Sequence, residues 1–410
     1  MGLEAADRRS AGSSPLGRLP WWAAVLLIFA AARLVTTAMM LVLARAQPQN
    51  AWTGPSPDYA DFASIWDGRW YNIIAVAGYP AELPLTDDGH VAENAWAFMP
   101  VYPAVVRLVM ILSGLGWPVA AVIVSVACAF GSALVFYLLM REVQDERTAM
   151  FAVVLYSVAP PSPVLQVAYA ESMQLILLAT ALLLVLRRRY LLLLPVVVVM
   201  SFTRPTGLAF ALFLALHTAY RWFTRRSEGV PTRELALAGA ATIVSGIAGL
   251  GWPAVAWLVT GQFSAYVDTE LAWRSSYIGY QHLMPFAGWV QGLDWWAVNG
   301  LHLPAGPPWG LMAVLVLVAA FTAFLFSPPA KSLGVDLRLW VASYAIYLLA
   351  VFFPQSSTFR LLMPVFPLLG AIARPRSPVY RVAVVILCVL AQWGWLLIAW
   401  RVDGYDWTPP

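Results

Sequence analysis

Apolar runs of membrane-spanning length recur along this 410-residue chain, and that recurrence constrains its fold more than any other feature. Crossing a hydrocarbon core takes about 20 apolar residues in a helix, because lipid offers no partner to an unpaired backbone N–H or C=O. Such runs are read at Trp21 to Leu43, Pro118 to Met140, Thr148 to Gln166, Val167 to Leu186, Tyr190 to Phe202 and Thr206 to Tyr220. Five more follow at Leu235 to Thr260, Trp309 to Phe326, Leu339 to Phe353, Leu361 to Ile372 and Val379 to Trp400. Hydrophobic residues make up 61% of the chain and charged residues 11%, against about 25% charged in a soluble domain. Too little polar surface remains to cover a water-exposed globule, which excludes a cytosolic enzyme. The fold class is therefore an all-α polytopic membrane protein, a single integral-membrane domain over residues 1–410.

The first run follows Arg8, Arg9 and Arg18 and ends in Ala44-Arg45-Ala46, which resembles a signal-peptidase site. Its length is about twice that of a signal h-region, so a retained helix is expected. The other basic clusters are Arg187-Arg188-Arg189, the stretch Arg221 to Arg233, Lys331 with Arg338, and Arg374 to Arg381. Basic residues mark the cytoplasmic side, and an even number of crossings must separate the N-terminus from Arg187. Phe98 to Ser113 is short and carries Pro100, Pro103 and Arg107, so it is expected to lie along the surface as an interfacial helix. Eleven spans result, with a cytoplasmic tail over residues 1–20 and two long extracytoplasmic segments, residues 46–117 and 261–308. The net formal charge of +4 is spread between the runs and reads as topology, not as nucleic-acid binding. Cys128 and Cys388 lie inside apolar runs with no neighbour at metal-ligand spacing.

Asp58, Asp61, Asp67, Glu82, Asp87, Asp88 and Glu93 all fall in the first outer segment, which favours chemistry at the outer surface over a path through the membrane. Arg33, near the centre of the first span, is the counter-signal, as an intramembrane charge is a functional candidate; pairing or snorkelling accounts for it equally well. Within Phe62 to Tyr79, Trp66, Trp70, Ile73 and Ala77 recur at helical spacing, with Asp67 and Tyr71 on the adjacent stripe. An amphipathic interfacial helix would hold Asp67 where a lipid headgroup meets water. The plainer alternative is that Asp67 caps a helix starting at Gly68. Asp87-Asp88 reads as a solvated turn, with His90 solvated beside it.

Three blocks then resemble a known family. Trp66-Asp67-Gly68-Arg69-Trp70-Tyr71, with Gly78-Tyr79 and Ala97-Phe98-Met99-Pro100, is similar to the first luminal loop of the PIG-V family of mannosyltransferases. Those enzymes add the second mannose of glycosylphosphatidylinositol anchors, and actinobacteria carry related membrane proteins. Ala159 to Ser172 is similar to the family's Pro-Ala-Ser and Tyr-Ser-Glu-Ser stretch, and Thr203-Arg-Pro-Thr-Gly207 to its Arg-Ser-Asn-Gly. The blocks cover roughly the N-terminal half. Pro205-Thr206 stands in place of Ser-Asn, and Ala170 in place of the first serine. The resemblance implies a GT-C glycosyltransferase fold, with two interfacial helices in the first outer loop beside the catalytic carboxylate. It also implies a polyprenyl-phosphate sugar donor, mannose above all, and inversion at the anomeric carbon.

An acceptor hydroxyl must lose its proton as it attacks, so a carboxylate within hydrogen-bond reach has to serve as general base; Asp67 is the candidate. The leaving lipid phosphate is already a stable anion and needs positive charge more than a general acid. Arg204 and Arg360, at outer ends of spans, and Arg69 and Arg107, on the interfacial helices, are candidate phosphate contacts, although arginines at a membrane edge also snorkel. Trp66, Tyr71, Tyr169 and Glu171 complete the expected substrate-binding set, with pairing to Arg204 the alternative for Glu171. Trp273, Trp289, Trp295 and Trp296 in the second outer segment could stack on sugar, but aromatic belts are commoner; Gln281 and His282 stand beside them without a distinguishing signal. Neither a metal nor another cofactor is expected, although Asp58-x-x-Asp61 and Asp87-Asp88 could offer oxygens to a divalent ion. The expected partners are the polyprenyl-phosphate donor, a lipid, glycolipid or protein acceptor, and the bilayer. The competing readings are a transporter or lipid flippase and a non-enzymatic scaffold.

Overall fold

The computed structural model describes residues 19–402 and Pro409; Arg8, Arg9, Arg18 and almost all of the expected N-terminal tail lie outside the described residues. The chain runs through α1 (Trp21–Ala46), α2 (Tyr59–Phe62), α3 (Asp67–Ala77), α4 (Val101–Ser113), α5 (Trp117–Arg141), α6 (Glu146–Val158) and α7 (Glu171–Leu186). It continues through α8 (Tyr190–Ser201), α9 (Gly207–Glu228), α10 (Thr232–Thr260), α11 (Ala265–Ala272), α12 (Ser275–Ile278) and α13 (Ala287–Trp295). It closes with α14 (Trp309–Leu325), α15 (Pro328–Lys331), α16 (Gly334–Val351), α17 (Thr358–Leu361), α18 (Leu368–Ile372) and α19 (Pro378–Ala399). Among the described residues the only β pairing is a single bridge, Leu85 to Val91. The protein is thus an all-α membrane protein, and α1, α5, α10, α16 and α19 are each long and apolar enough to cross a bilayer. Leu34, Leu258, Val379 and Leu387 are each more than 60% exposed on these helices, as lipid-facing side chains must be.

Two of the expected spans are interrupted. Leu361 to Ile372 holds no continuous helix; α17, a 3-10 turn at Met363–Val365 and α18 replace it. Pro364 and Pro367 each remove a backbone donor and block continuation of the preceding turn. Likewise Thr148 to Gln166 divides into α6 and a 3-10 turn at Ser162–Gln166, with Pro160, Pro161 and Pro163 at the break. Arg33 fills that break. Its guanidinium donates to the carbonyls of Ser157 and Ser162 at 2.5 Å each, and to Ser162 Oγ at 3.0 Å. It therefore restores to two helix-end carbonyls the partners they lost.

Contacts sort the loops into two poles. At one, Arg187 pairs with Glu142 at 2.7 Å, Arg188 with Asp336 at 3.0 Å, Arg221 with Glu234 at 2.9 Å, and Arg376 with Asp145 at 3.5 Å. His217, fully buried, donates from Nδ1 to Asp336 at 2.7 Å and pairs through Nε2 with the Tyr190 hydroxyl at 2.8 Å. All four internal basic clusters meet here or next to it. At the other pole the two long segments interlock: Asn94 bonds Thr269 at 2.9 Å, Trp273 packs edge-on against Trp70 and Phe98, and His90 stacks on Tyr280.

α4 covers 13 residues, about 20 Å at the α-helical rise, too short to cross a hydrocarbon core. It packs along α5, where the Tyr102 hydroxyl reaches the Ala121 carbonyl at 3.1 Å and Ser125 Oγ at 2.8 Å. Leu108, Ile111 and Leu112 on its other side are exposed. Gly114 ends it at φ +72°, a left-handed cap that glycine adopts at little cost.

Candidate active site

Asp67 is the first residue of α3 and does not cap it; the N-cap is Trp66, and no side-chain capping bond forms. Trp66 adopts φ +59° and ψ −123°, a strained conformation for a non-glycine residue that costs on the order of 1–3 kcal/mol. Its indole N–H donates to the Ala399 carbonyl at 3.0 Å, and its ring packs 5.0 Å from Trp52. This anchoring turns the chain so that Asp67 points into the protein. Gly68 makes the approach feasible, as a Cβ there would stand 3.2 Å from that of Ala168.

Four charged side chains from separate parts of the chain meet at this point. Arg360 hydrogen-bonds Asp67 Oδ2, and Arg204 Nη1 lies 3.8 Å from the same oxygen. Both arginines also reach Glu171 Oε1, Arg204 at 3.1 Å and Arg360 at 3.2 Å. The side chains are 6% to 14% exposed. Two guanidiniums thus bridge two carboxylates in a net-neutral, nearly buried quartet. Tyr71 and Tyr169 complete it: Arg204 donates to the Tyr71 hydroxyl at 3.3 Å, the Asp67 backbone N–H donates to the Tyr169 hydroxyl at 3.4 Å, and the Arg360 guanidinium lies 5.0 Å from the Tyr169 ring centroid. Burial alone would lower the Arg204 pKa, but Glu171, Tyr71 and Asp67 together hold it well above the ordinary value.

Local structure explains each position. Asp67 and Glu171 open α3 and α7, where the helix dipole favours negative charge. Arg204 sits in the turn between α8 and α9, fixed by the close crossing of α9 and α10: a Cβ on Gly249 would come within 2.6 Å of the Leu208 nitrogen. Thr206, at the departure from the family's Ser-Asn, is buried and accepts a 2.6 Å bond from Gln174. Arg360 is carried by α17, in the broken segment. A continuous span there would have put it on a regular helix end instead.

Burying ion pairs is costly unless the partners are fully satisfied, and here they are not. Among the described residues neither Glu171 oxygen makes a well-oriented hydrogen bond, and Arg360 Nε has no hydrogen-bond partner. Both arginines address Asp67 Oδ2, so among the described residues Oδ1 has no hydrogen-bond partner. The site therefore keeps unused donors and acceptors of both signs, which suits a ligand bearing an anionic group next to hydroxyls.

The other candidates lie elsewhere. Arg69 is exposed, donates to the Ala51 carbonyl at 3.2 Å and stacks on Trp52; it borders a cleft of about 480 Å³ lined by Thr53, Asp61, Ser64, Gly68 and Asn72 among others, and not by the quartet. Arg107 is exposed on α4, beside Val76 and Ile111. Trp289 and Trp296 donate to the carbonyls of Leu348 in α16 and Pro354 just beyond it, which ties the segment to the helix bundle, and Gln281 donates to Ile278 and accepts from Gln291 within the segment. Asp58 caps α2 through the Asp61 N–H.

The residues the sequence reading passed over are Tyr266, Glu270 and Arg274. Glu270 adjoins Tyr266 and lies in the fields of Arg204, Arg274 and Asp67; Tyr347 of α16 adjoins both Glu270 and Arg204. The signal was present, since positions 266, 270 and 274 share a helix face at i, i+4, i+8 spacing. The surrounding tryptophans masked it.

No family model matches the chain, and no curated protein matches it. By overall structure the chain is similar to ArnT from Cupriavidus metallidurans bound to undecaprenyl phosphate, at 17% identity and a TM-score of 0.49, over 88% of this chain and 62% of that one. It is also similar to the Archaeoglobus fulgidus oligosaccharyltransferase in the apo form, at 13% identity and a TM-score of 0.49, over 92% of this chain and 56% of that one. The chain spans less than two thirds of either protein's length. Likeness at this level assigns neither a substrate nor a residue role.

Proposed function

We propose that this chain is a membrane glycosyltransferase of the GT-C type, related to the PIG-V mannosyltransferases. In this reading it moves a mannosyl residue from a polyprenyl-phosphate donor to a lipid or glycolipid acceptor on the extracytoplasmic face. The observation that carries the reading is the meeting of Asp67, Glu171, Arg204 and Arg360. These residues come from the three sequence blocks that resemble the family and from a fourth segment 293 positions from Asp67.

Asp67 Oδ1 takes the acceptor hydroxyl proton as the acceptor oxygen attacks the anomeric carbon. The bond from that carbon to the phosphate oxygen breaks, and its electron pair leaves with the polyprenyl phosphate, so the anomeric centre inverts. Arg204 and Arg360 bind the phosphate through charge-assisted hydrogen bonds, and Glu171 holds both guanidiniums in place. The low local dielectric of this nearly buried site strengthens each of these interactions. With basic residues inside, the quartet at the opposite pole faces the extracytoplasmic side.

The flippase reading called for ionisable residues gathered around Arg33. Its hydrogen-bond partners among the described residues are instead uncharged serine groups. The deciding experiment incubates purified protein with labelled polyprenyl-phosphate-mannose and a panel of acceptor lipids. A labelled product that disappears in Asp67→Asn is expected. Movement of the intact donor across proteoliposome membranes, without bond formation, would overturn the assignment.

A further inference from the structure

Glu270 stands across from the quartet, on α11 of the second outer segment. The segment is docked rigidly. Thr269, fully buried beside it, is tied to Asn94 at 2.9 Å, and Trp273, one turn on, packs between Trp70 and Phe98 of the first segment. Arg274 is buried too, with Nη1 directly over Gly288, where a Cβ would stand 3.6 Å away. Thr269, Trp273 and Arg274 therefore account for how the loop is held, and Glu270 is not needed for it.

Glu270 is itself exposed, and it enters no salt bridge among the described residues, although Arg204, Arg274 and Asp67 are near enough to act on its charge. Tyr266, one turn back on the same helix face, adjoins it. A carboxylate that is open to solvent, enclosed by tyrosines and set beside paired arginines has the chemistry of a hydroxyl-recognising wall. Carboxylate oxygens accept strongly from adjacent hydroxyls, and an aromatic ring with a polar edge covers the apolar face of a sugar. Desolvation by the surrounding protein also pushes the Glu270 carboxyl up to about 7, against the opposing pull of Tyr266, Arg204 and Arg274.

We infer that Glu270, supported by Tyr266, is a sugar-binding and specificity-determining residue that accepts hydrogen bonds from the hydroxyls of a hexosyl group lodged between it and the Asp67–Arg204 side of the quartet. The inference rests on the glycosyltransferase reading and adds the residue that recognises the sugar as distinct from its phosphate. A site built to bind hydroxyls discriminates sharply against ligands that lack them.

Binding in the full-length protein tests it, in an Asp67→Asn background that prevents turnover, using three probes: polyprenyl-phosphate-mannose, bare polyprenyl phosphate, and octyl mannoside. Glu270→Gln is expected to weaken a mannose-bearing probe by roughly tenfold or more while leaving bare polyprenyl phosphate unchanged, and Glu270→Asp is expected to restore part of the loss. Loss confined to polyprenyl-phosphate-mannose places the hydroxyls on the donor; loss confined to octyl mannoside places them on the acceptor. Equal affinity of Glu270→Gln and the parent for all three probes overturns the inference and leaves the transferase reading standing. If the parent binds none of the three, the transferase reading fails and the inference falls with it.

Discussion

Arg360 and Asp67 lie 293 positions apart in the chain and share a hydrogen bond. The guanidinium that holds the proposed base is delivered by α17, a four-residue helix between Pro354 and Pro364. Where the sequence suggests one more span, the prolines break the helix into short turns, and that break brings a charge to the site. Irregular backbone in a membrane protein is tolerated where it is buried in protein, and Arg360 and Pro364 of this segment are buried.

Asp67→Asn should reduce sugar transfer by roughly 10²- to 10⁴-fold, the usual contribution of a positioned general base. Asparagine keeps an oxygen for Arg360 but removes one negative charge from the nearly buried quartet, so the thermal midpoint should fall, and transfer is compared at a temperature where both proteins are folded. Transfer at the parental rate would remove Asp67 from the mechanism.

Glu171 and Arg204 should behave as a coupled pair. Glu171→Gln or Arg204→Gln alone leaves a nearly buried charge short of its partner, at a cost of about 3–5 kcal/mol. The double variant should lose much less than the sum of the two, because neither charge is then left unpaired. Additive losses in thermal or denaturant melts would show that the two side chains do not interact.

Affinity for the sugar should depend on pH through Glu270. Its carboxyl titrates near pH 7, against about 4.3 in an unfolded chain, and the groups facing it are Tyr266, Tyr347, Arg204, Arg274 and Asp67. Below that point Glu270 is protonated and a weaker acceptor, so KM should rise as pH falls from about 8 to 6. Stability runs the other way. The folded state holds this proton to higher pH than the unfolded state does, so the contribution is complete below about 4.3 and is lost as pH rises through about 7. Glu270→Gln should flatten both trends; a KM profile unchanged by the substitution would exclude Glu270 as their source.

At the basic pole, Asp336→Ala should destabilise without altering the chemistry. Asp336 is the shared partner of Arg188 and His217, and the His217 side chain is fully buried, so its removal should cost about 3–5 kcal/mol. Specific activity per folded molecule should match the parent at a temperature where both are folded. An unchanged melting temperature would mean that the cluster is not a structural clamp.

The crossing of α9 and α10 sets the height of Arg204, and Gly249→Ala tests that dependence. The added methyl would meet the Gly207 and Leu208 backbone at 2.6 to 2.9 Å, distances that only a shift of the helices relieves. Transfer should fall and the donor KM rise although no substrate contact is changed. Retention of both would show that the crossing is looser than this.

Much of the fold was legible because its cause is one-dimensional. Apolar runs specify helices in lipid wherever they occur, and proline placement marks where they stop: Pro364 and Pro367 divide the apolar run from Leu361 to Ile372, which hydrophobicity alone reads as one span. The shortness of α4 was legible as well, in the brief apolar run from Phe98 to Ser113. Asp67 was singled out by its setting, but its orientation was not, since capping and catalytic roles for an aspartate at a helix start look the same in one dimension.

The residues around it were decided by tertiary structure. Arg69, Arg107, Arg204 and Arg360 were equivalent as sequence candidates, each an arginine near a predicted outer surface. Packing separates them: Arg204 and Arg360 enter the quartet, while Arg69 turns to Trp52 and Arg107 faces outward from α4. The sequence by itself determined that this chain must live in a membrane with its basic and acidic loops apart, because hydrophobicity and charge act residue by residue. Only the tertiary structure decided which four charges meet, because a salt bridge depends on distances that helix crossings and proline breaks set across hundreds of residues.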